Sequence, residues 1–503
     1  MKIKKVILSL ALMLVLTACG KTDNANKDTG AAENDTVRVA IQTELDGLNP
    51  TKITAGDTET VLDQIFDGLF DTDKDGKLVG DLAESYEVSD DGLVYTFKLK
   101  QGVKFHNGKE FKAEDVVYTY DLQAGLTSKE PLSTKFEIIK SVEAEDDYTV
   151  KVTLKERQNS FIYLTLKAIL PKGYEDQDTN PVGTGPYKFV SYVPGEILKL
   201  ERFDDYHNKD HVAKIKNLEI IRMKDSQTML MALQNGEIDV TPGLSSEEAD
   251  QVKDYANIIE GPQNLVQTFA LNNDFGPLKD PKVREALNMA IDRDELIKTV
   301  AGGRAAKVFS NFSPALPKYY NDLGEYYKSD KEAAKALLKE AGYENGFDLV
   351  CKVPSDYKFH VDTAEFIASE LRQVGVNMII GPIEFSTWLD KVYKGREFEA
   401  TIIGFIGYLD PNQILERYTS DNKSNFINFK SAKFDEEMNL ANTAKDENEV
   451  IEHYKNAQKA LVEDNASVFL QDPNIILAMR KGLSGLELYP IQKRNFEDLQ
   501  FTK

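Results

Sequence analysis

The sequence predicts an α/β fold, because strand-like and helix-like patterns of apolar residues alternate along most of the chain. The first strand-like run, at 37–41, alternates apolar and polar residues. Further strand-like runs follow at 265–271, 349–353, 376–380 and 400–405. Helical patterns separate several of these runs, so we expect sheets that are covered by helices.

Several helices carry explicit start and stop signals. Asp280-Pro281 places a proline at the first position of a predicted helix. The run from Ser329 to Glu332 is a capping box that predicts a helix over 333–341, ended by Gly342. Asp362 and Gly375 bracket another predicted helix.

The N-terminal half mixes the two patterns. Apolar residues at helical spacing predict a helix over 61–70. Asp91-Gly92 and Asn107-Gly108 each stand between strand-like runs and suit turns that need a positive φ. We therefore expect two hairpins after the first helix.

The first residues have the pattern of an export signal. Lys2, Lys4 and Lys5 precede an apolar run over 6–16. This run is shorter than the roughly 20 apolar residues that a membrane-spanning helix needs, so we interpret 1–18 as a signal peptide. A small residue before Cys19 resembles the bacterial lipobox, which predicts that Cys19 becomes a lipid-bearing N-terminus; an ordinary signal peptide is the alternative. The polar segment 19–35 is then a flexible tether.

Composition limits the classes of function. The roughly 470 residues after the tether exceed one hydrophobic core, so two or three domains are expected. The net charge of −22, from 61 Lys and Arg against 83 Asp and Glu, argues against a nucleic-acid partner. Cys351 is the one cysteine besides Cys19, and its apolar neighbours predict a buried small residue rather than a nucleophile.

Motifs for metal binding and hydrolysis are incomplete. The run from Asp71 to Gly76 begins like a calcium loop but has Leu82 where a bidentate acid is needed, which favours a solvated turn. His207 and His211 have helical spacing, yet the polar residues between them favour a loop over a zinc pair. No Gly-x-Ser-x-Gly elbow is present. We predict no metal, no cofactor and no catalytic residues, with an extracellular hydrolase as the alternative class.

A series of motifs closely resembles family 5 of the bacterial solute-binding proteins, which serve dipeptide, oligopeptide and nickel importers. The resemblance is carried in order by Leu48-Asn49-Pro50, Asp81 to Leu99, Gly102 to Gly108, Ala113 to Val117, Val182 to Tyr187, Met229 to Asp239, Asp280 to Arg293, Ala336 to Tyr343 and Trp388. It covers nearly the whole chain after the tether.

The resemblance implies a two-lobed, type II periplasmic-binding-protein fold with an extra subdomain in the N-terminal half. Two crossing segments join the lobes, which close on a ligand by hinge rotation. On this basis lobe I comprises 36–70, 183–265 and 476–503, the inserted subdomain 71–182, and lobe II 266–475.

The resemblance also implies where the ligand lies. Three loops correspond to the ligand contacts of the family, and they supply Thr54, Gly56, Asp57, Lys358, His360, Gly407, Tyr408 and Asp410. Trp388 fits either the core or the cleft. Asp57 or Asp410 would serve a ligand amine, and Lys358 or His360 a carboxylate.

Two departures from the family pattern bear on the ligand. Gly407 stands where relatives often have an Asp that pairs with a peptide's amino group, and no Arg for a dipeptide's carboxylate lies near Pro354 to Asp356. Peptide is therefore the expected ligand without dipeptide specificity, and nickel or another small solute is the alternative.

Partners and location follow from the same resemblance. It implies a monomeric lipoprotein on the outer face of a bacterial cell membrane or in the periplasm. There it would deliver an oligopeptide or dipeptide to the permease subunits of an ABC importer and their ATPases. No enzymatic activity is expected.

Overall fold

The structure is a computed structural model that describes residues 35–53 and 55–502. The predicted signal peptide, Cys19, nearly all of the tether, and Thr54 lie outside the described residues. Among the described residues no helix is both long and apolar enough to span a bilayer.

The strands are numbered in chain order. They are β1 (Thr36–Ile41), β2 (Phe70–Thr72), β3 (Leu78–Gly80), β4 (Ala83–Val88), β5 (Val94–Leu99), β6 (Ile139–Asp146), β7 (Thr149–Leu154), β8 (Tyr187–Val193), β9 (Ile197–Arg202), β10 (Asn217–Arg222), β11 (Ala256–Pro262), β12 (Leu265–Leu271), β13 (Ala305–Lys307), β14 (Phe347–Pro354), β15 (Val376–Ile383), β16 (Ala400–Ile406), β17 (Val468–Arg480), β18 (Leu483–Ser484) and β19 (Gln500–Phe501).

The α-helices are numbered in the same way. They are α1 (Gly56–Leu62), α2 (Ala113–Ala124), α3 (Ser226–Asn235), α4 (Ser246–Val252), α5 (Pro281–Ala290), α6 (Arg293–Val300), α7 (Lys331–Glu340), α8 (Lys358–Arg372), α9 (Phe385–Thr387), α10 (Pro411–Leu415), α11 (Ala432–Thr443) and α12 (Glu447–Glu463).

The largest sheet has the order β11-β17-β12-β16-β14-β15, with β13 on β17. Its strand β12 buries residues on both faces: Phe269 and Leu271 pack into one core, and Val266 and Ala270 into another. Alternation at period two explains this, because successive side chains point to opposite faces. We call strands β12, β14, β15 and β16, the N-terminal part of β17 and their helices the large lobe, while β11 and the C-terminal part of β17 pair with each other at the edge of the sheet.

A second sheet has the order β1-β10-β9-β8, and we call it with its core the small lobe. Here β1 and β10 are parallel, with Val39 opposite Ile220. A third sheet, β4-β5-β7-β6, packs on α2 around Phe97 and Phe105, and we call it the inserted layer. All its strands lie within 71–182, while the exact domain boundaries stay a prediction.

Two segments run between the large and small lobes. β17 pairs with β12 at Gln471 and, further along, reaches the small lobe where Met479 bridges Val240. The second crossing is the step from β11 to β12 through Asn264. Asp472 joins the two crossings, because its Oδ1 accepts a hydrogen bond from the Leu265 amide at 3.1 Å.

The turn predictions are confirmed. Gly92, between β4 and β5, has φ of 71°, and Gly108 has φ of 83°. Asp73 in the suspected calcium loop accepts bonds from the Asp75 and Lys77 amides at 3.0 and 2.9 Å, which makes the segment a turn between β2 and β3.

The predicted helix over 61–70 is wrong, because α1 ends at Leu62. The following backbone pairs with distant segments instead: the Gly185 amide donates to the Ile65 carbonyl at 2.9 Å, and the Leu69 amide donates to Thr165 at 2.8 Å. Tertiary contacts therefore take the hydrogen-bonding groups that a helix would need.

Helix starts are partly confirmed. Asp280 caps α5, which begins at Pro281 as predicted. α7 is capped by Asp330 rather than Ser329, since its carboxylate accepts from the Glu332 and Ala333 amides. α8 begins at Lys358 rather than Asp362. Gly342 and Gly375, at the predicted stops, have φ of 86° and 90°.

Candidate ligand-binding cavity

A cavity of about 330 Å³ lies where the large lobe, the small lobe and the inserted layer meet. The large lobe supplies the loop 406–410 and Gln413, and the small lobe supplies α1, the loop after it, and 491–493. Residues between 81 and 167 close the remaining side. A smaller cavity of about 220 Å³ shares Glu59, Asp63, Lys135 and Tyr408 with it.

The inserted layer contacts the large lobe directly beside the cavity. Lys135 Nζ donates to Gln413 Oε1 at 2.6 Å, and the hydroxyls of Tyr163 and Tyr319 are 3.2 Å apart. Asn159 Nδ2 donates to the Ala441 carbonyl at 3.0 Å. These contacts join the inserted layer to the large lobe.

The cavity wall is rich in charge. Its carboxylates are Glu59, Asp63, Asp67, Asp71, Asp81 and Asp410, and its cations are Lys135, Lys167 and Lys493. Lys167 pairs with Glu59, and Lys493 pairs with Asp71. Asp67 and Asp81 both lie against His207.

Asp410 caps α10 and is 2% exposed. Its Oδ1 accepts a hydrogen bond from the Asn412 amide at 2.9 Å. Burial raises the pKa of the Asp410 carboxyl to about 7, the Asn412 bond opposes that shift, and the charge of Glu416 adds to it. A carboxyl of this kind gains from a cation that is placed against it.

Lys135 and Asp63 are charged groups without an ion pair among the described residues. Burial, and then the charge of Lys167, lower the pKa of Lys135, whose Nζ lies 4.7 Å from the centre of the Tyr408 ring. Burial, and then the charge of Glu59, raise the pKa of Asp63 well above its usual range. A ligand that brings the opposite charge would relieve both shifts.

The loop of Gly407 and Tyr408 is held by Asn264 at the second crossing. The Gly407 amide donates to the Asn264 carbonyl at 2.5 Å. Asn264 Nδ2 donates to the Pro490 carbonyl at 2.9 Å and to the Tyr408 carbonyl at 3.4 Å. A Cβ atom on Gly407 would lie 2.1 Å from Asn264 Oδ1, so the close approach requires glycine.

The predicted site residues fall into two groups. Gly56, Gly407, Tyr408 and Asp410 line the cavity. Asp57 is exposed on α1 and accepts a bond from Thr43 Oγ1 at 2.5 Å. Asp57 stays a predicted ligand residue, as does Thr54, which lies outside the described residues.

The second group consists of Lys358, His360 and Trp388, which lie elsewhere in the large lobe than the loop 406–410. Lys358 has an 85% exposed side chain and pairs with Asp362. His360 is buried, with Nδ1 2.9 Å from Gln267 Nε2 and Nε2 accepting from the Gly404 amide at 3.2 Å, and burial lowers the pKa of its ring to about 4.

Trp388 lies in the core of the large lobe. It is 3% exposed, stacks against Phe385 and donates from Nε1 to Thr401 Oγ1 at 2.8 Å. Cys351 is buried as predicted, and burial raises the pKa of its thiol.

Sequence reasoning missed Asp63, Lys135 and Lys493 as wall residues. The wrong helix assignment over 61–70 concealed the turn that brings Asp63 to the cavity. Lys135 and Lys493 belong to segments without a motif, so their positions follow from tertiary packing alone. The family series near Gly56 and Tyr408 was the signal that pointed to two loops that line this cavity.

Two groups of side chains have the spacing of metal ligands in the described chain: Asp67 with Asp81 and His207, and His211 with Glu497 and Asp498. His207 and His211 therefore belong to different clusters and do not form a zinc pair with each other.

Comparison with known proteins agrees with this architecture. Residues 77–426 match the model of the bacterial extracellular solute-binding proteins, family 5. The chain is 30% identical to the glutathione-binding protein GsiB of Pectobacterium atrosepticum, over 97% of this chain and 98% of that protein.

Solved structures share the fold. CtaP, an ABC transporter substrate-binding protein of Listeria monocytogenes, superposes with a TM-score of 0.85 at 27% identity, covering 93% of this chain and 100% of CtaP. DppA of Helicobacter pylori, solved with the peptide STSA, gives 0.77 at 27% identity, covering 94% and 99%. The chain thus belongs to family 5 of the bacterial extracellular solute-binding proteins and has their type II periplasmic-binding-protein fold.

Proposed function

We propose that this protein binds peptides in the cavity between its lobes and delivers them to an ABC importer. The observation that carries the proposal is the cavity lined by both Asp410 and Lys135, neither of which forms an ion pair within the described residues. A peptide brings an amine and a carboxylate on one extended backbone. The peptide bound to the related DppA structure and the glutathione-binding relative support this ligand class.

The amine of the peptide is assigned to Asp410, which takes the role that Gly407 cannot fill. A buried ammonium needs such a partner, because removing one member of a buried ion pair costs roughly 3–5 kcal/mol. Lys135 is assigned to the carboxylate of the ligand, and Tyr408, Gly407 and Gly56 line the same cavity. Thr54, Asp57, Lys358, His360 and Trp388 stay predictions of ligand contact.

Delivery requires the protein to be held near its permease. We propose that Cys19 carries lipid, that 1–18 is removed, and that the tether leaves the lobes free at the outer face of the membrane. Permease subunits with their ATPases are the proposed partners. Replacing Cys19 with Ser should move the protein from the membrane fraction to the soluble fraction, and equal solubility of both forms would contradict the anchor.

Binding without turnover is the test of function. A melting-temperature screen of the purified protein should include peptides of two to six residues and nickel. A ligand at 100 times its dissociation constant should stabilise the fold by about 2.7 kcal/mol. Stabilisation by nickel alone would overturn the peptide assignment, and steady peptide cleavage seen by mass spectrometry would overturn the absence of enzymatic activity.

A further inference from the structure

Asp67, Asp81 and His207 converge on one point at the wall of the cavity. His207 Nε2 lies 3.1 Å from Asp67 Oδ2 and 3.4 Å from Asp81 Oδ1. The three side chains are 6%, 10% and 5% exposed for Asp67, Asp81 and His207. They come from the loop after α1, the segment after β3, and the loop between β9 and β10.

No Lys or Arg of the described residues forms an ion pair with Asp67 or Asp81. Within residues 35–53 and 55–502, the ion pairs of Asp67 and of Asp81 both end on His207. The hydroxyl of Tyr206 adds one contact to Asp67 at 3.5 Å. Two buried carboxylates and an imidazole nitrogen that face one point need a proton or a cation between them.

The distances suit a metal ion of a particular kind. Bonds of about 2.0–2.1 Å at tetrahedral angles place neighbouring ligand atoms about 3.3–3.4 Å apart. The ligand atoms of this cluster lie at 3.1 and 3.4 Å along two edges, and all of them within 4.8 Å of one another. Calcium and magnesium are disfavoured, since they prefer sets of oxygen ligands.

The state of His207 permits metal binding. Its Nδ1 is buried and has no hydrogen-bond partner among the described residues. Nε2 lies 3.1 Å from Asp67 Oδ2, within hydrogen-bond distance, so a proton is held between these two atoms in the metal-free chain. A metal ion bound here would take the place of that proton, because metal binding releases protons from its ligands.

We propose that Asp67, Asp81 and His207 form a binding site for one divalent transition-metal ion of the zinc type. Asp67 and Asp81 also line the cavity, which gives the ion a path of entry and leaves its remaining coordination positions toward the interior. The ion would join the small lobe to the segment that leads into the inserted layer. Neither Asp410 nor Lys135 takes part in this site, although Asp67 and Asp81 line the same cavity.

The second cluster supplies a matched control. His211 lies in the same loop as His207, but its side chain is 49% exposed, and its Nδ1 is 3.1 Å from Asp498 Oδ2. A His211→Gln substitution removes an imidazole of similar sequence context without touching Asp67 or Asp81.

The test is calorimetric titration of zinc chloride into the full chain after treatment with a chelator. We expect one ion per wild-type chain. Loss of a supporting second-shell group costs roughly 10–100-fold in metal affinity, so His207→Gln and Asp81→Asn should weaken binding by at least about tenfold. The affinity of His211→Gln should match the wild type, and melting without zinc checks that each variant folds.

X-ray absorption spectroscopy at the zinc edge, done on the wild type alone, gives a test that does not depend on whether the variants fold. One nitrogen and two carboxylate oxygens at about 2.0–2.1 Å are expected in the first shell. The proposal is overturned if the wild type binds no zinc, if the shell contains only oxygen, or if His207→Gln binds as tightly as the wild type. Weakening by His211→Gln alone would assign the ion to the exposed cluster and would also overturn it.

Discussion

Asp410 is the residue on which ligand recognition depends in this account. Replacing it with Asn keeps the shape of the side chain and removes the charge, so binding of a peptide with a free amine should weaken by about 3 kcal/mol, or more than a hundredfold. The N-acetylated form of the same peptide should be affected little. Calorimetry with both ligands and both proteins forms a double-mutant cycle that isolates the coupling energy.

A coupling energy near zero would show that Asp410 is not the partner of the amine. Equal affinity of the wild type for the free and acetylated peptides would remove the need for any partner. The cycle separates these outcomes from general damage, because damage would weaken both ligands alike.

The raised pKa of Asp410 predicts a dependence on pH. An unfolded Asp titrates at about 3.9 and this carboxyl at about 7, so the folded chain binds more protons between these values. The contribution of Asp410 to stability is therefore lost as pH rises from about 4 to about 7.

The affinity for a peptide should change with pH in the opposite direction to the stability. A peptide ammonium favours the ionised carboxylate, so binding below pH 7 releases the proton of Asp410. Affinity should rise with pH up to about 7 in calorimetric titrations. The same titrations on Asp410→Asn should show little of this rise, and an unchanged pH profile in that variant would contradict the assignment.

At the scale of elements, the second crossing positions the ligand loop through Asn264. This residue has φ of 56° and is 1% exposed. Asn264→Ala places a Cβ residue in the left-handed region without the local bonds of Asn, whereas Asn264→Gly removes only the side chain. The Ala variant should be less stable than the Gly variant by about 1–2 kcal/mol in urea unfolding.

Both variants should also bind peptide less tightly, because the Tyr408 carbonyl loses the hydrogen bond that the side-chain amide of Asn264 donates to it. Asn273, whose side chain contacts the Leu271 and Ala466 carbonyls away from the cavity, gives a control through Asn273→Ala. If the Asn264 variants lose stability but keep full affinity, the loop does not depend on this contact.

The helices, strands and turns also show which parts of the fold local sequence patterns can predict. Caps and turns depend on a few neighbouring residues, which is why Asp280, Gly92 and Gly342 were predictable. The segment after α1 was not, because the carbonyls of Gln64, Ile65 and Asp67 pair with residues more than a hundred positions away in the sequence. The strand-like apolar runs predicted β12 and β16, because side chains in a strand alternate between its two faces with a period of two residues.

At the scale of the whole molecule, family motifs predicted the two-lobed fold, but not the full wall of the cavity. Lys135 and Gln413 are 278 residues apart in the sequence and meet only when the inserted layer reaches the large lobe. A local sequence pattern cannot predict a contact between residues so far apart in the sequence. The motifs did locate the loops at Gly56 and at 407–410, and the second of these lies beside the crossing at Asn264.

The parts of the molecule that line the cavity determine what a bound ligand contacts. The inserted layer and the two lobes all contribute to the cavity lining, so a peptide bound there would contact all three. Hinge rotation about the crossings, which the family resemblance implies, is the expected motion of closure. A bound peptide would then stabilise the closed arrangement by its contacts on both sides.

The crystal structure of the protein with a saturating oligopeptide tests the central claim most directly. The account predicts one extended peptide between α1 and the loop 407–410, with its amine within about 3 Å of Asp410 and its backbone alongside Gly407 and Tyr408. A peptide bound outside this cavity would contradict the account, as would one inside it whose amine lies away from Asp410.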